Sequence, residues 1–214
     1  MLHIDIETYS EFPIEYGVFN YVNHPSFEIL IIAYALDDSP VKVLTPNDTK
    51  EMAIFKRLFD TYTKAAHNAN FERTCFNAIG WKSKPSDWFC TATQARYNGL
   101  PGSLDNATKA LGTTNQKDSK GKALIKLFSL PDENGKRTYP DDDPMRFEEF
   151  KDYCAQDVEA ERDLYISLAP YLESVAKAYA IDQKINDRGA FVDVEFCKKA
   201  ATIVTGKQIG RAHV

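Results

Sequence analysis

Three short segments place acidic side chains where the surrounding residues are mostly apolar. Asp5 and Glu7 lie in the first segment, Glu72 lies in the second, and the third pairs Asp157 with Tyr153. Carboxylates are rarely buried unless they are paired or bound to a cation. Several carboxylates that converge usually share a divalent metal ion, because oxygen ligands suit hard cations. The sequence therefore predicts a metal site built from residues that are far apart in the chain.

Each of these segments is a weak signal when it stands alone. The opening residues alternate apolar and polar, which predicts a half-buried strand with Asp5 and Glu7 on one face. Two exposed acids fit that pattern equally well. Asp157 follows Tyr153 by one helical turn, so both project from one face of a predicted helix. Glu72 follows a predicted strand end, where it can also serve simply as a first-turn acid of a helix.

The predicted elements indicate an α/β fold. Three antiparallel strands come first and helices then alternate with strands, which is typical of a mixed sheet of about five strands flanked by helices. The predicted strands are 2–7, 28–36, 41–44, 64–68 and 88–91; the predicted helices are 47–62, 71–79, interrupted helices up to 128, 145–168 and one ending at 188; the predicted loops are 9–27 and 131–144, and 190–194 is predicted to be extended.

Composition excludes several classes of protein. The chain has 214 residues, a net charge of −5 and a pI near 5.4, so it is not a basic nucleic-acid coat protein. Four cysteines without a CxxC pair predict reduced core residues of a cytosolic protein. No apolar run approaches the ~18 residues of a membrane span. Because the chain opens on a strand rather than a signal peptide, we expect a cytoplasmic protein with no membrane partner.

Four carboxylates at one site can hold two divalent cations about 3.5–4 Å apart, the arrangement used to cleave phosphodiester bonds. Oxygen ligands favour Mg²⁺, with Mn²⁺ as an alternative, over Zn²⁺. Such ions activate an attacking water and stabilise the leaving 3′ oxygen, and Tyr153 is placed to orient the water. The predicted metal ligands are Asp5, Glu7, Glu72 and Asp157, and these four with Tyr153 are the predicted catalytic residues.

The ordered motifs resemble those of the 3′–5′ exonucleases of the DEDD superfamily, tyrosine branch, whose fold is RNase H-like. Asp5 and Glu7 match the first motif, the segment 67–72 resembles the second, and Tyr153 with Asp157 matches the third. The resemblance covers about residues 1–170. It implies that Asp5, Glu7 and Asp157 bind the tighter ion, while the second-motif acid acts on the other ion through water. Three residues beside the motif acids, Thr8, Asn68 and Phe71, are predicted to bind substrate, and for Phe71 a place in the core is the alternative. The departure is Glu72, where the family usually has aspartate.

A second similarity is to the family A DNA polymerases of bacteriophages. It is carried by three segments, 100–104, 117–122 and 182–193, the last of which opens the polymerase region in those enzymes. The expected domains are therefore an exonuclease domain at 1–170 and the helical start of a polymerase region at 171–204. Residues 205–214 are predicted to be a non-native tail, because 208–214 resemble a translated sequencing adapter; an ordinary polar tail is the alternative.

A basic group and an aromatic group near the predicted site each allow two interpretations. Six basic residues against two acids between 94 and 126 favour either a phosphate-contacting rim or a solvated helix face. His67 is predicted to be a local hydrogen-bonding residue rather than a ligand. Aromatic residues after the acid pair can stack on the bases of a single strand or pack in the loop. The basic residues are Arg96, Lys109, Lys117, Lys120, Lys122 and Lys126, and the aromatic residues are Tyr9, Phe12, Tyr16 and Phe19.

The predicted function is a two-metal 3′–5′ exonuclease that hydrolyses DNA at 3′ ends, as the proofreading domain of a phage DNA polymerase. Its expected partners are a single-stranded DNA 3′ end and a polymerase region of the same natural chain. Two alternatives remain open. One is a free-standing exonuclease of the same superfamily that acts on DNA or RNA. The other is a non-catalytic scaffold that supports a polymerase. Glu72, which stands where the family usually has aspartate, leaves this alternative open.

Overall fold

The computed structural model describes residues 1–113 and 121–204. The predicted features at Lys117, Asp118, Lys120 and the tail 205–214 lie outside these residues. The strands are β1 (Leu2–Tyr9), β2 (Glu28–Leu36), β3 (Lys42–Leu44), β4 (Lys64–Ala66) and β5 (Trp88–Cys90). The α-helices are α1 (Val18–Asn23), α2 (Thr49–Thr61), α3 (Asn70–Ala78), α4 (Thr91–Tyr97), α5 (Leu104–Leu111), α6 (Gly121–Phe128), α7 (Pro144–Ser167), α8 (Glu173–Arg188) and α9 (Val194–Val204). Three short 3₁₀ helices are Ile14–Tyr16, Pro85–Asp87 and Pro140–Asp142.

The five strands form one mixed sheet in the order β3-β2-β1-β4-β5. The first three strands are antiparallel neighbours, β4 runs parallel to β1, and β5 runs parallel to β4. Short connections suffice for the antiparallel strands, whereas the parallel strands require crossover helices. The predicted α/β class and the mixed five-stranded sheet are confirmed, and these strand directions are those expected of an RNase H-like fold.

Both faces of the sheet are covered by helices. Leu2, Ile4 and Ile6 of β1 join a core with Phe55 of α2 and Phe76 of α3. Residues of β2 that point to the other face pack in a second core with side chains of α6 and α7. The prediction of a half-buried β1 is therefore wrong. The strand is central in the sheet and has helices on both sides, so the polar face of its alternating pattern is also enclosed.

Three smaller predictions also need correction. The segment 9–27 is not a loop throughout, because it contains a 3₁₀ turn and α1, whose Tyr21 and Val22 are buried. The segment 131–144 contains another 3₁₀ turn. Cys197 is exposed, whereas the other three cysteines are buried as predicted. Cys197 lies on α9, where no described side chain is fully buried, so its apolar neighbours do not form a core.

The chain divides into two units, 1–180 and 181–214. The first unit holds the sheet and α1 to α7, and the second, over its described residues, holds the end of α8 and all of α9. The predicted domain limits at residue 170 and residue 204 remain predictions. Across residues 1–113 and 121–204, no helix has both the length and the apolar character that a bilayer crossing requires.

Candidate active site

Strand β1 and helix α7 meet on the second face of the sheet, and their facing side chains form the candidate site. Asp5 and Glu7 alternate with the core residues Ile4 and Ile6, so their carboxylates point away from the first core. Asp5 lies opposite Ala33 of β2, and a bulge interrupts the pairing directly after Glu7. Bulges of this kind redirect side chains and are frequent beside active sites.

Asp5 and Glu7 share their position with Cys154 of α7. One potential ligand atom from each of these three residues lies within 4.8 Å of the others. The Cys154 thiol donates a hydrogen bond to Asp5 Oδ2 at 3.4 Å, and burial raises its pKa well above the ordinary value, so it stays protonated. Cys154 was predicted only to face the core. Its position one helical turn before Asp157 was the signal that it belongs beside the acids.

Tyr153 and Asp157 are both buried on the face of α7 that looks onto β1. Burial raises the pKa of the Tyr153 phenol, and the negative charge of the nearby Asp157 carboxylate raises it further. Glu7 and Asp5 contribute to the same pKa shift. Three of the predicted acids and the predicted tyrosine thus lie within electrostatic reach of one another, although the two ends of the set come from opposite ends of the domain.

A cleft of about 910 Å³ opens beside this group and carries charges of both signs. Asp5 and Asp157 supply the acidic side, and Arg96 of α4, Lys109 of α5 and Lys122 of α6 supply basic side chains. The cleft is completed by His67, Asn68, Gly102, Ser103, Leu104 and Asp105. Three of the four described residues of the predicted basic rim therefore line the same cleft as the acids, while Lys126 lines a different surface groove. Residues 103–105 also line this cleft, a position that no sequence pattern predicted for them.

His67, the residue directly after β4, stabilises the wall of the cleft through contacts of its ring. Its ring lies 3.2 Å from Thr91 Oγ1, and its Nε2 donates to the Gly102 carbonyl at 2.9 Å. The Arg96 guanidinium packs against Gly102, where a Cβ atom would collide with it. His67 is therefore a local hydrogen-bonding residue in the structure. Asn68 follows with a φ of 68°, a left-handed conformation that asparagine tolerates.

Glu72 occupies a different position from the other acids. It is buried in the first turn of α3, is not part of the Asp5–Glu7–Cys154 group, and does not line the cleft. Its Oε2 has no hydrogen-bond partner among the described residues. Burial raises its pKa well above the ordinary value, and the nearby Asp5 carboxylate raises it further. Glu72 is therefore close enough to Asp5 to feel its charge, in buried surroundings that favour a neutral carboxyl when no cation is bound.

The three predicted substrate-binding residues lie in different surroundings. Asn68 lines the cleft. Thr8 is buried and shares a 2.8 Å hydrogen bond with the Tyr21 hydroxyl. Phe71 packs against the first core, with its ring 6.2 Å from that of Tyr21. Of the candidate stacking residues, Tyr9 is buried and Phe12 is partly buried, whereas Tyr16 is 66% exposed and Phe19 is 38% exposed, so the last two are open to a base.

The donor set fits a hard divalent cation. Carboxylate oxygens of Asp5 and Glu7 lie close enough to share one ion, and Asp157 faces the same cleft. The protonated Cys154 thiol is bound to Asp5 rather than available as a ligand, and thiols are poor ligands for Mg²⁺. The buried, unpaired Oε2 of Glu72 is a further oxygen whose desolvation a cation would offset.

Comparison with known proteins finds a relative among phage polymerases. A DNA polymerase of Bacillus phage SP02 is 46% identical over 93% of this chain. The chain spans about a third of that relative's length, since the match covers 33% of it. No family model matches the chain. A solved apo form of a nuclease aligns over 88% of this chain and 84% of its own, at 14% identity and a TM-score of 0.40, and nothing about this chain follows from so low a score.

The raised pKa of Glu72 leads to a test of its environment. Folding favours its protonated form, so its contribution to stability is complete below the ordinary glutamate pKa and is lost as the pH rises through the raised value. Glu72→Gln, which is neutral at every pH, should therefore raise the melting temperature of the metal-free protein at about pH 8, and the gain should vanish near about pH 4. Thermal unfolding in EDTA at both pH values measures this. Equal melting temperatures at about pH 8 would show that Glu72 is not strained by its burial.

Proposed function

We propose that residues 1–170 form a two-metal-ion 3′–5′ exonuclease domain that hydrolyses DNA from its 3′ end, as the proofreading part of a phage DNA polymerase. The observation that carries the proposal is the meeting of Asp5 and Glu7 from β1 with Tyr153 and Asp157 from α7 beside one cleft. The order and spacing of these residues support the exonuclease assignment, and the similarity to the phage SP02 polymerase supports the association with replication.

In this proposal the cations are two Mg²⁺ ions, or Mn²⁺, held by Asp5, Glu7 and Asp157, with Glu72 acting on the second ion. Bound at these carboxylates, the ions would supply a nucleophilic water at neutral pH and offset charge on the leaving oxygen. Orienting the attacking water is the task of a side chain of the protein. Tyr153 stays protonated because its pKa is raised, so its hydroxyl is a neutral hydrogen-bonding group that orients the attacking water rather than a base.

The substrate class follows from the charges around the cleft. Arg96, Lys109 and Lys122 come from three successive helices and face the same opening as Asp5 and Asp157. A phosphodiester chain running through the cleft would meet these basic side chains, while the scissile phosphate lies at the acids. A single strand suits this arrangement, because basic grooves that follow the backbone are the common feature of single-strand binding. The polymerase region is expected elsewhere in the natural chain.

The deciding experiment is cleavage of single-stranded DNA labelled at its 5′ end. A 3′–5′ exonuclease would shorten the labelled strand one nucleotide at a time in Mg²⁺ and would stop in EDTA. Release of the label itself would indicate attack from the 5′ end, and internal fragments would indicate an endonuclease, so either result contradicts the proposal. The same assay with an RNA strand of equal sequence separates a DNA enzyme from the alternative that acts on RNA.

The basic side of the cleft gives a quantitative prediction. Lys122→Ala should weaken binding of single-stranded DNA and lower the slope of log K against log salt concentration by about 0.7, the value for one lost phosphate contact on a single strand. Fluorescence anisotropy in EDTA at several salt concentrations measures binding without cleavage. Lys50→Ala, which removes an exposed lysine of α2 outside the cleft, should leave the slope unchanged. A parallel loss in both variants would assign Lys122 to a solvated face.

One observation favours a second candidate function. Glu72 is buried in the first turn of α3 and does not line the cleft, which also fits a domain that binds single strands without cleaving them. Glu72→Asp and Glu72→Gln separate the two. An exonuclease that uses this carboxylate should retain substantial activity with aspartate and lose most of it with glutamine. If the glutamine variant cleaves like the parent, residue 72 is no ligand. If the parent binds DNA but never cleaves it, the scaffold is correct.

A further inference from the structure

The backbone of Gly121 lies against the ring of Tyr153. A Cβ atom built on Gly121 would stand 2.6 Å from Tyr153 Cδ2 and closer still to Cε2 and Cζ. Gly121 is itself buried, at the first residue of α6. Real side chains do not tolerate such separations, so any larger residue at position 121 must displace either the ring or the helix. Glycine is required here by close approach rather than by its backbone angles.

Helix α6 is held in this position by the rest of its buried face. Gly121, Leu124 and Phe128 are its three buried residues, and their spacing places them on one side of the helix. Phe128 stacks on Phe150 of α7 with ring centroids 5.6 Å apart and an interplanar angle of 18°. Phe150 is in turn nearly parallel to Tyr153, at 6.2 Å and 14°. The helix is therefore anchored at its far end by an aromatic stack that continues to the catalytic tyrosine.

We propose that Gly121 is a positioning residue, which lets the first turn of α6 close against the Tyr153 ring and so keeps the phenol turned toward Asp157. The Tyr153 ring has Phe150 on the same helix face and the α6 backbone against its edge atoms, so these contacts restrict the rotation of the side chain. The hydroxyl of a tyrosine lies at the far end of the ring, so a small rotation of the Tyr153 side chain moves its hydroxyl away from Asp157. This inference rests on the proposed role of Tyr153 in cleavage.

The physical argument predicts an effect opposite to that of helix propensity. Alanine is the best helix former and glycine is poor, so an alanine at a helical position without close neighbours stabilises the fold. At position 121 the added methyl group instead enters the space of the Tyr153 ring. Gly121→Ala should therefore fail to raise the melting temperature and should shift the ring resonances of Tyr153. Ala123→Ser, a change on the exposed side of the same helix, should leave the Tyr153 resonances in place and should lower the melting temperature only slightly, because serine is a weaker helix former than alanine.

The test measures cleavage and ring position separately. In single-turnover assays with saturating single-stranded DNA and Mg²⁺, Gly121→Ala should slow cleavage at least tenfold, while binding of the strand in EDTA changes less than twofold. In the Tyr153→Phe background the same substitution should produce little further loss, because the hydroxyl it displaces is already gone. NMR spectra of the ring, assigned by their loss in Tyr153→Phe, report the displacement even if the parent does not cleave DNA, so this inference can fail independently of the proposed function.

Two results would overturn the inference. One is a stabilised Gly121→Ala variant with unshifted Tyr153 resonances, and the other is a full additional loss of cleavage in the Tyr153→Phe background. If Gly121→Ala does not fold, Gly121→Ala combined with Tyr153→Ala decides. Removing the ring removes the collision, so the double variant should fold at least as well as Tyr153→Ala alone. A double variant that remains unfolded would show that position 121 acts on something other than the Tyr153 ring.

Discussion

Asp5→Ala should abolish cleavage while the domain stays folded. Asp5 belongs to the group of potential ligands and also lines the cleft, so it is the acid placed to hold a cation against the substrate. A metal ion contributes several kcal/mol to such a transition state, and each ~1.4 kcal/mol is tenfold in rate. The expected loss is therefore at least about 10³-fold, measured as single-turnover release of nucleotides in saturating Mg²⁺.

Stability distinguishes this loss from unfolding. Asp5 and Glu7 repel each other when no cation is bound, so removing one carboxylate should not lower the melting temperature in EDTA, and the stabilisation that Mg²⁺ gives the parent should disappear. Asp152→Ala, at an exposed position on α7, removes one acid outside the cleft and should behave like the parent. A variant at Asp5 that keeps its Mg²⁺-dependent activity would end the metal-centre interpretation.

Tyr153→Phe should retain metal binding and slow the chemical step. The phenol is buried beside the Asp157 carboxylate and its pKa is raised, so it remains protonated throughout the working range of pH. Positioned groups that take part in proton transfer contribute ~10²–10⁴-fold, and a residue that only orients water should fall at or below that range. Single-turnover rates at saturating Mg²⁺ measure the loss, and calorimetric titration with Mg²⁺ measures metal affinity.

The pH dependence adds a second criterion. Because the hydroxyl does not titrate in the accessible range, Tyr153→Phe should lower the rate by the same factor at every pH without changing the shape of the profile. Tyr165→Phe, at a partly exposed position later on α7, serves as the matched control and should leave the rate unchanged. An unchanged single-turnover rate in Tyr153→Phe would reduce Tyr153 to a packing residue in the Phe150 stack.

The sheet was predictable from local patterns. Continuous apolar residues in β2 and alternation in β1 each identify a strand, and the turn chemistry between β2 and β3 gives the antiparallel pairing. Burial of the second face of β1 was not predictable, because it depends on α7 packing from more than a hundred residues away. The same limit applies to α1, whose six residues carry no strong period and are buried through Tyr21 and Val22.

The candidate site was likewise predictable only where local spacing determines the position of a side chain. The motif residues on β1 and α7 could be named because each spacing places two side chains on one face. For Cys154 the spacing from Asp157 indicated the helix face but not the contact with Asp5. The place of Gly121 was not predictable, because its contact with Tyr153 depends on how α6 packs against α7. Glu72 was expected among the ligands from its spacing alone. How deeply Glu72 is buried depends on the packing of α3 against the sheet, and the spacing of residues in the sequence does not predict that packing.

The thiol of Cys154 and the carboxylate of Asp5 touch across 149 positions of sequence, and this separation bears on when the site comes into existence during synthesis. Strand β1 is synthesised more than a hundred residues before α7, so its acids are made well before their helical partners. Contacts this distant form late, because the entropy of closing the chain must be overcome first. Native-state hydrogen exchange should therefore find α7 and β1 opening as one unit. A nascent or half-folded chain would carry Asp5 and Glu7 without Tyr153 and Asp157 beside them, so the candidate site is complete only after α7 has packed against β1.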